Sequence, residues 1–494
     1  MSKEETFQDL SLNPSSGKQD LWRWLYTELR AAILDGRLKP GARMPSTRSL
    51  GMQYSLSRGT VVVAFEQLQA EGYTRTEVGS GTYVASGVPD GLLPATHRPV
   101  AAPAVATSKA TLSKRTQQCL KDVEVIPASR SIGKAFRAHE AAIDLFPVDL
   151  WARVASRVLR RAPRSLYGHG NAMGYQPLRR AIAEYVGASR GVHCSAEQII
   201  ITSGTQQALD LIGRLLLTTG DQVWMEDPGY HRALHTLRAT GARIVPVPVD
   251  EDGLIVKAGR KLAPKAKLAY VTPANQFPMG VTMSADRRLE LLRWAASANA
   301  WIIEDEYDAE YRYSGRPIAA LQTLDSSGCV IYVGTFTKML FNALRLGFMV
   351  LPERLVEAFA ATRTLIDLHP PTLDQAILAE FITEGHFGHH LRRMRQTYAE
   401  RIDVLKTAAD KQLDGVLEVV HAGAGIRTLG WLKTGKSDRD ATQQAQKLGL
   451  EVTPLSMFIT KYERPPALML GFAGCTPAEL RRGVSVLATA LRLR

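Results

Sequence analysis

Seven short, near-continuous apolar runs recur between residues 199 and 351, and no other feature of the chain restricts its fold as strongly. They are IIITSG (199–204), QVWMED (222–227), ARIVPVPV (242–249), LAYVTP (268–273), WIIEDE (301–306), VIYVGT (330–335) and LGFMVL (346–351), with stretches of helical character between them. Strands apolar on both faces belong to a sheet that is covered on both sides. The pattern therefore predicts an α/β domain around a mainly parallel, seven-stranded sheet. In such sheets ligands collect beyond the carboxyl ends of the strands. The unusual polar motifs of this half, SGTQQ, EDPGY, TPANQFPMG, EDEYD and GTFTK, all fall at those ends.

One lysine, Lys338, follows the strand VIYVGT, with Thr335 and Thr337 beside it. An electron-sink cofactor such as pyridoxal phosphate needs a lysine amine, an acid at its ring nitrogen, an anion cradle and a flat group over the ring. Lys338 supplies the amine, and Asp305 an acid able to keep a pyridine nitrogen protonated. Tyr307, two residues on, can approach the phenolic oxygen of the ring. Ser203-Gly204-Thr205-Gln206 opens a helix whose free N–H groups favour a phosphate. Thr335, Thr337 and Arg345 complete that cradle with directed hydrogen bonds, and Tyr230 can stack on the ring.

The N-terminal part has a different pattern. In DLWRWLYTELRAAILD (20–35), Leu21, Leu25 and Leu29 share a helical face that Trp22 and Ile33 widen, and Gly36 ends the run. Ser46 can cap a short helix reaching about Tyr54, and Ser57 a second with Val61, Ala64, Phe65 and Leu68 on its apolar face. Two short strands around Gly79-Ser80-Gly81 then complete a winged helix-turn-helix. Its second helix begins Ser57-Arg58-Gly59-Thr60, the end that such motifs place in the major groove. Arg43, Arg48 and Arg75 are the expected phosphate contacts, and Ser57, Arg58 and Thr60 the expected base readers. The whole chain carries a net charge of +13, compatible with a polyanionic partner, yet residues 20–86 hold only eight Lys/Arg against six Asp/Glu. Pattern rather than charge marks the DNA reader.

These readings divide the chain into a DNA-binding domain over 18–86, a Pro/Ala/Ser/Thr-rich flexible linker over 87–135 and the α/β domain over 136–494. Cys119, Cys194, Cys329 and Cys475 lie far apart, the N-terminus lacks a secretory pattern, and no run of 18 apolar residues is present. A cytoplasmic protein without disulfides, zinc or a membrane span is expected. HFGHH (386–390) places histidines at helical spacing without a third ligand, so no metal site is expected, and HLRRMRQTY reads as an exposed helix.

GTFTKMLFNALR, EDEYD and GYQPLRRAIAEY together resemble the MocR/GabR subfamily of GntR-type regulators, in which a winged helix-turn-helix is fused to a fold-type I, aspartate-aminotransferase-like domain. The resemblance implies pyridoxal 5′-phosphate as cofactor, bound through Lys338, with Asp305, Tyr307, Tyr230, Gly204, Thr205, Gln206, Thr335, Thr337 and Arg345 around it. It also implies a homodimer in which Tyr167 of SLYGHG reaches the neighbour's phosphate. Double-stranded promoter DNA with repeated half-sites is the implied partner, contacted through Arg48, Arg58, Thr60 and the wing residue Gly81. The chain departs from the family pattern at Ala274-Asn275-Gln276-Phe277-Pro278-Met279-Gly280, which makes Asn275 the expected amide at the 3′-oxygen. It also departs at Asn342, where the family has proline, and at AHEAAIDLFP. In ALMLGFAG (467–474), where the resemblance expects a carboxylate-binding arginine, Leu468, Met469 and Leu470 are apolar, and Arg427 of AGAGIRTLG is a candidate substitute. The expectation is a sensor of pyridoxal phosphate or of a small amino compound, with no catalytic residue unless Lys338 serves a transaminase. The rival is a working aminotransferase with an appended DNA-binding domain.

Overall fold

The computed structural model describes residues 12, 20–77, 79–86, 117, 135–313 and 318–492, which fall into two compact units, residues 1–111 and 112–494. Apart from Gln117 and Ala135, the expected linker lies outside the described residues.

In the first unit, helix α1 (Leu21–Leu34) packs Leu25, Leu29, Ala32 and Ile33 inward. Leu21 does not join them and is 49% exposed. Residues four apart drift by about 40° around a helix, so a ladder centred on Leu29 leaves Leu21 at its margin. Helix α2 (Thr47–Gln53) starts at Ser46, whose hydroxyl accepts the Ser49 N–H at 3.0 Å. Helix α3 (Arg58–Ala70) starts at Ser57, which accepts the Thr60 N–H at 3.1 Å, and buries Val61, Ala64, Phe65 and Leu68. Strands β1 (Thr74–Glu77) and β2 (Gly81–Val84) pair antiparallel, Thr74 opposite Val84 and Glu77 opposite Gly81. This is the winged helix-turn-helix.

The second unit is built on eight strands rather than seven: β3 (Ile199–Thr202), β4 (Gln222–Asp227), β5 (Arg243–Asp250), β6 (Gly253–Leu254), β7 (Leu268–Val271), β8 (Trp301–Glu306), β9 (Val330–Thr335) and β10 (Gly347–Val350). Their order is β3-β10-β9-β8-β7-β4-β5-β6. The pairs from β9 through β8, β7 and β4 to β5 are parallel, while β10 runs antiparallel to both its neighbours. The additional strand, β6, turns back antiparallel on β5 over two residues, too short to leave a periodic trace. Alternate residues fill opposite layers: Met225, Tyr270, Ile303 and Val333 pack on one side, Trp224, Ala269, Val271 and Ile302 on the other. Each parallel strand is thus apolar on both faces.

A second, four-stranded antiparallel sheet, which the sequence pattern did not reveal, follows: β11 (Leu417–Val419), β12 (Arg427–Leu432), β13 (Thr453–Pro454) and β14 (Ala467–Gly471), in the order β11-β12-β14-β13. The helix His386–Gln412 is not the exposed element expected. It buries Phe387, His390, Leu391, Met394 and Tyr398, a stripe of helical period hidden among arginines and histidines. Among the described residues no helix is long and apolar enough to cross a membrane.

The carboxyl end of β8 is held by an ion pair between Arg190 and Glu306, whose side chains are 6% and 0% exposed. Arg190→Met strands a buried carboxylate and should cost about 3–5 kcal/mol. Adding Glu306→Gln should recover much of that loss, as read by urea denaturation; equal instability of the single and double variants would contradict the role of this pair.

Candidate functional site

Parallel strands deliver their side chains to one rim, and that rim carries the polar residues. Lys338 follows β9 and is half-buried, its Nζ donating to the carbonyl of His139 at 2.8 Å. Desolvation first, then the positive charge of Arg427, lowers its pKa to about 8. Arg232 and Arg345 act in the same direction, Asp308 against it.

Asp305 at the end of β8 is buried, and Tyr270 of β7 donates to its Oδ2 at 2.6 Å. Its Oδ1 is buried without a partner. Burial pushes the carboxyl up to about 7, while the Tyr270 hydroxyl pulls it down. A buried acceptor of this kind is costly unless a donor reaches it, and a protonated ring nitrogen is such a donor.

The expected anion cradle falls where β3 meets the helix Thr205–Leu216. Gly204 stands before this helix at φ +108°, a conformation that favours glycine, and a Cβ there would lie 3.3 Å from Nη2 of Arg345. Arg345 is itself left-handed, at φ 50°, which turns it back toward the cradle. Thr335 Oγ1 accepts the Thr337 N–H at 3.2 Å, and Thr337 Oγ1 is buried without a partner. Gln206 donates to the Tyr230 hydroxyl at 3.4 Å. Tyr230 and Tyr307 both meet Phe277 edge to face, at 5.3 and 6.1 Å between centroids.

The donors, the orphaned acceptor and the desolvated amine fit pyridoxal phosphate. Two expected residues are already engaged. Tyr307 donates to the Asn275 carbonyl at 2.6 Å and accepts from Arg427 at 2.6 Å, and the Asn275 amide donates to Asp308 at 2.9 Å. Tyr167 is not gathered in within one chain: it is 62% exposed and donates to the Leu159 carbonyl.

Several neighbours of these candidates escaped the sequence reading. Tyr270 positions Asp305, and its only trace was a hydroxyl inside the apolar run LAYV. His139 holds the Lys338 amine through its carbonyl and stacks on Phe277. His390 meets the Met339 carbonyl at 3.0 Å, fastening the turn that follows Lys338.

On the first unit, Arg43, Arg48 and Arg58 are exposed, as is Ser57. Ser57 and Thr60 hydroxyls lie 2.8 Å apart, so both serve the start of α3 as well as its surface. Arg43 bridges to Tyr83 of β2 and lies against Gly81, where a Cβ would come within 3.0 Å of its Nε. Arg75 of β1 pairs with Glu77 at 3.4 Å, with both side chains open to solvent.

Residues 23–84 match the family described as bacterial regulatory proteins of the gntR family, and residues 141–487 match aminotransferase class I and II. The chain is 40% identical to the probable rhizopine catabolism regulatory protein MocR of Rhizobium meliloti, over 95% of this chain and 93% of that one. It is 30% identical to the transcriptional regulator TauR of Rhodobacter capsulatus (96% and 97% covered) and 28% to the pyridoxine biosynthesis regulator PdxR of Corynebacterium glutamicum (95% and 95%). Among solved structures it resembles an archaeal alanine:glyoxylate aminotransferase, 29% identical with a TM-score of 0.68, covering 77% of this chain and 93% of that one.

Two outcomes follow from the geometry. The rate at which Lys338 captures pyridoxal phosphate, followed by stopped-flow absorbance, should rise with pH to about 8 and then level as the neutral amine saturates; a rise continuing toward the ordinary lysine range would contradict the desolvated pocket. Tyr270→Phe should move the Asp305 pKa above about 7 in carboxyl-resolved NMR, because the lost hydroxyl favoured the carboxylate; an unchanged value would remove Tyr270 from the site.

Proposed function

The chain belongs to the MocR/GabR subfamily of GntR-type transcriptional regulators, and on that footing we propose how its parts divide the work. It is a DNA-binding regulator whose aminotransferase-like unit takes pyridoxal phosphate. Residues 18–86 read promoter DNA, residues 87–135 tether, and residues 136–494 hold the cofactor and form a homodimer. The cofactor brings an aldehyde that a lysine amine can hold and an electron-poor ring.

The observation that carries this reading is the buried, unpartnered Oδ1 of Asp305, which suits a ring nitrogen kept protonated. Lys338 supplies the anchoring amine. Thr335, Thr337, Arg345 and the helix start at Gly204, Thr205 and Gln206 take the phosphate. Tyr230 covers the ring, and Tyr307 and Asn275 lie on the side of its 3′-oxygen. Tyr167, exposed in one chain, serves the neighbouring pocket, which makes the dimer part of the site.

The effector is pyridoxal phosphate itself or a small amino compound, and names of the relatives point both ways, to pyridoxine biosynthesis and to rhizopine catabolism. A sensor is favoured over a working transaminase because the relatives that match both units are named as regulators, whereas an aromatic-amino-acid aminotransferase of Thermococcus litoralis matches 71% of this chain. A cytoplasmic location accords with a DNA target. Effector occupancy and operator affinity are then linked free energies, each shifting the other equally.

The DNA region upstream of the protein's own gene, in a mobility-shift assay at two salt concentrations, tests the reading. Arg48→Ala should weaken binding and flatten its salt dependence, while Arg58→Ala should cost about 1–3 kcal/mol and relax sequence preference. Shifts unaltered by either substitution would overturn the assignment of α2 and α3.

A further inference from the structure

Residues 135–144 trace a path from the second sheet, past the lysine amine, to the helix His386–Gln412. The Ala135 carbonyl accepts the Glu451 N–H at 3.0 Å, and the Phe136 carbonyl accepts the Gly471 N–H of β14 at 2.9 Å. Arg137 pairs with Glu140 and, through Nη2 at 2.9 Å, with Glu451. Gly471 lets the path lie close to β14, since a Cβ there would run into the Arg137 carbonyl. His139 comes next, its ring stacked on Phe277 at 6.2 Å between centroids and its carbonyl accepting from Lys338 Nζ at 2.8 Å. Farther along, the Ala142 N–H donates to the Tyr398 hydroxyl at 2.9 Å, and Asp144 meets Arg401 at 3.2 Å.

The tie at Lys338 differs from the others in being open to covalent chemistry. Among the described residues it is the amine's one hydrogen bond. A neutral amine that condenses with an aldehyde gives up its two hydrogens with the aldehyde oxygen as water and forms a C=N bond. The nitrogen then carries a hydrogen only if reprotonated, and that hydrogen is fixed in the plane of the double bond. A free amine, by contrast, turns its hydrogens about the Cε–Nζ bond toward whichever acceptor is near. Capture of an aldehyde therefore takes the donor away from the His139 carbonyl, and a carbonyl left without a donor inside a protein is destabilising. The anchors at Glu451, β14, Tyr398 and Arg401 are untouched by that chemistry.

We propose that residues 135–144 form a strap held at its middle by the free amine of Lys338 and released at His139 when that amine captures an aldehyde. The inference rests on the cofactor reading above and deepens it by naming the segment whose order depends on occupancy. The strap is continuous in sequence with the tether of residues 87–135. A change in its order thus biases the chain that leads to the DNA-binding unit while the eight-stranded sheet stays as it is. The outer anchors confine the release to the residues between them.

Hydrogen–deuterium exchange of the full-length protein with and without pyridoxal phosphate, read by mass spectrometry on peptides spanning 135–147, tests this. Loading should speed exchange there about tenfold or more, the scale set by losing a hydrogen bond from a charged donor, while peptides of β7 and β8 keep their rates. Pyridoxine 5′-phosphate, which carries an alcohol in place of the aldehyde and cannot condense, should leave the strap as slow as in the free protein. Lys338→Met, similar in length and without a donor, should exchange fast at the strap in the absence of cofactor and change less than about twofold when it is added. Loading that leaves strap exchange unchanged or slows it, fast exchange with pyridoxine 5′-phosphate, a Lys338→Met strap as slow as the unaltered one, or a change spread over β7 and β8 overturns the proposal. Borohydride labelling of the loaded sample separates the two readings: no label on Lys338 refutes the cofactor site, and label on Lys338 with unchanged strap exchange refutes the strap alone.

Discussion

Charge held out of water is the constraint around which the large unit is arranged. Asp305, Glu306 and Asp308 leave β8 in close succession, and all three are buried. A buried carboxylate is tolerated only with a partner. Glu306 has Arg190, Asp308 has the Asn275 amide with Arg427 nearby, and Asp305 has Tyr270 on one oxygen alone. The remaining oxygen of Asp305 and the depressed amine of Lys338 are groups that a cofactor would complete. Stability and binding therefore draw on the same residues.

The second sheet lies against that arrangement. β12 and β14 close over Phe277 and Tyr307 with an apolar face broken by Arg427. Arg427 brings a positive charge to the face that also carries Leu429 and Met469. Folds of this type can thus retain the cofactor's surroundings while changing what is recognised beside it.

Much of this was legible in the sequence because the strongest physical signals are local. The seven apolar runs became strands since each is buried on both faces, and Ser46 and Ser57 cap the helices they were expected to cap. Lys338, Asp305, Tyr230 and Gly204 stood out as candidates because strand ends and helix starts determine where polar groups converge. The rest depends on pairing between distant segments. β6 is two residues long, β12 and β14 pair across an intervening helix and loop, and the burial of His390 arises from tertiary packing. Tyr270 looked like part of a core strand because it is one; its hydroxyl acquires a role only when β8 lies alongside. The apolar stretch Leu468-Met469-Leu470 argued for the loss of a carboxylate clamp, and only the register across to Arg427 places a guanidinium on the same face.

The central claim is that one amine, desolvated at the end of β9, carries the cofactor. Borohydride reduction of the protein after loading with pyridoxal phosphate, followed by proteolysis and mass spectrometry, tests it most directly. The account predicts a single phosphopyridoxyl-modified peptide with the modification on Lys338; label spread over several surface lysines, or absent from Lys338, would contradict it.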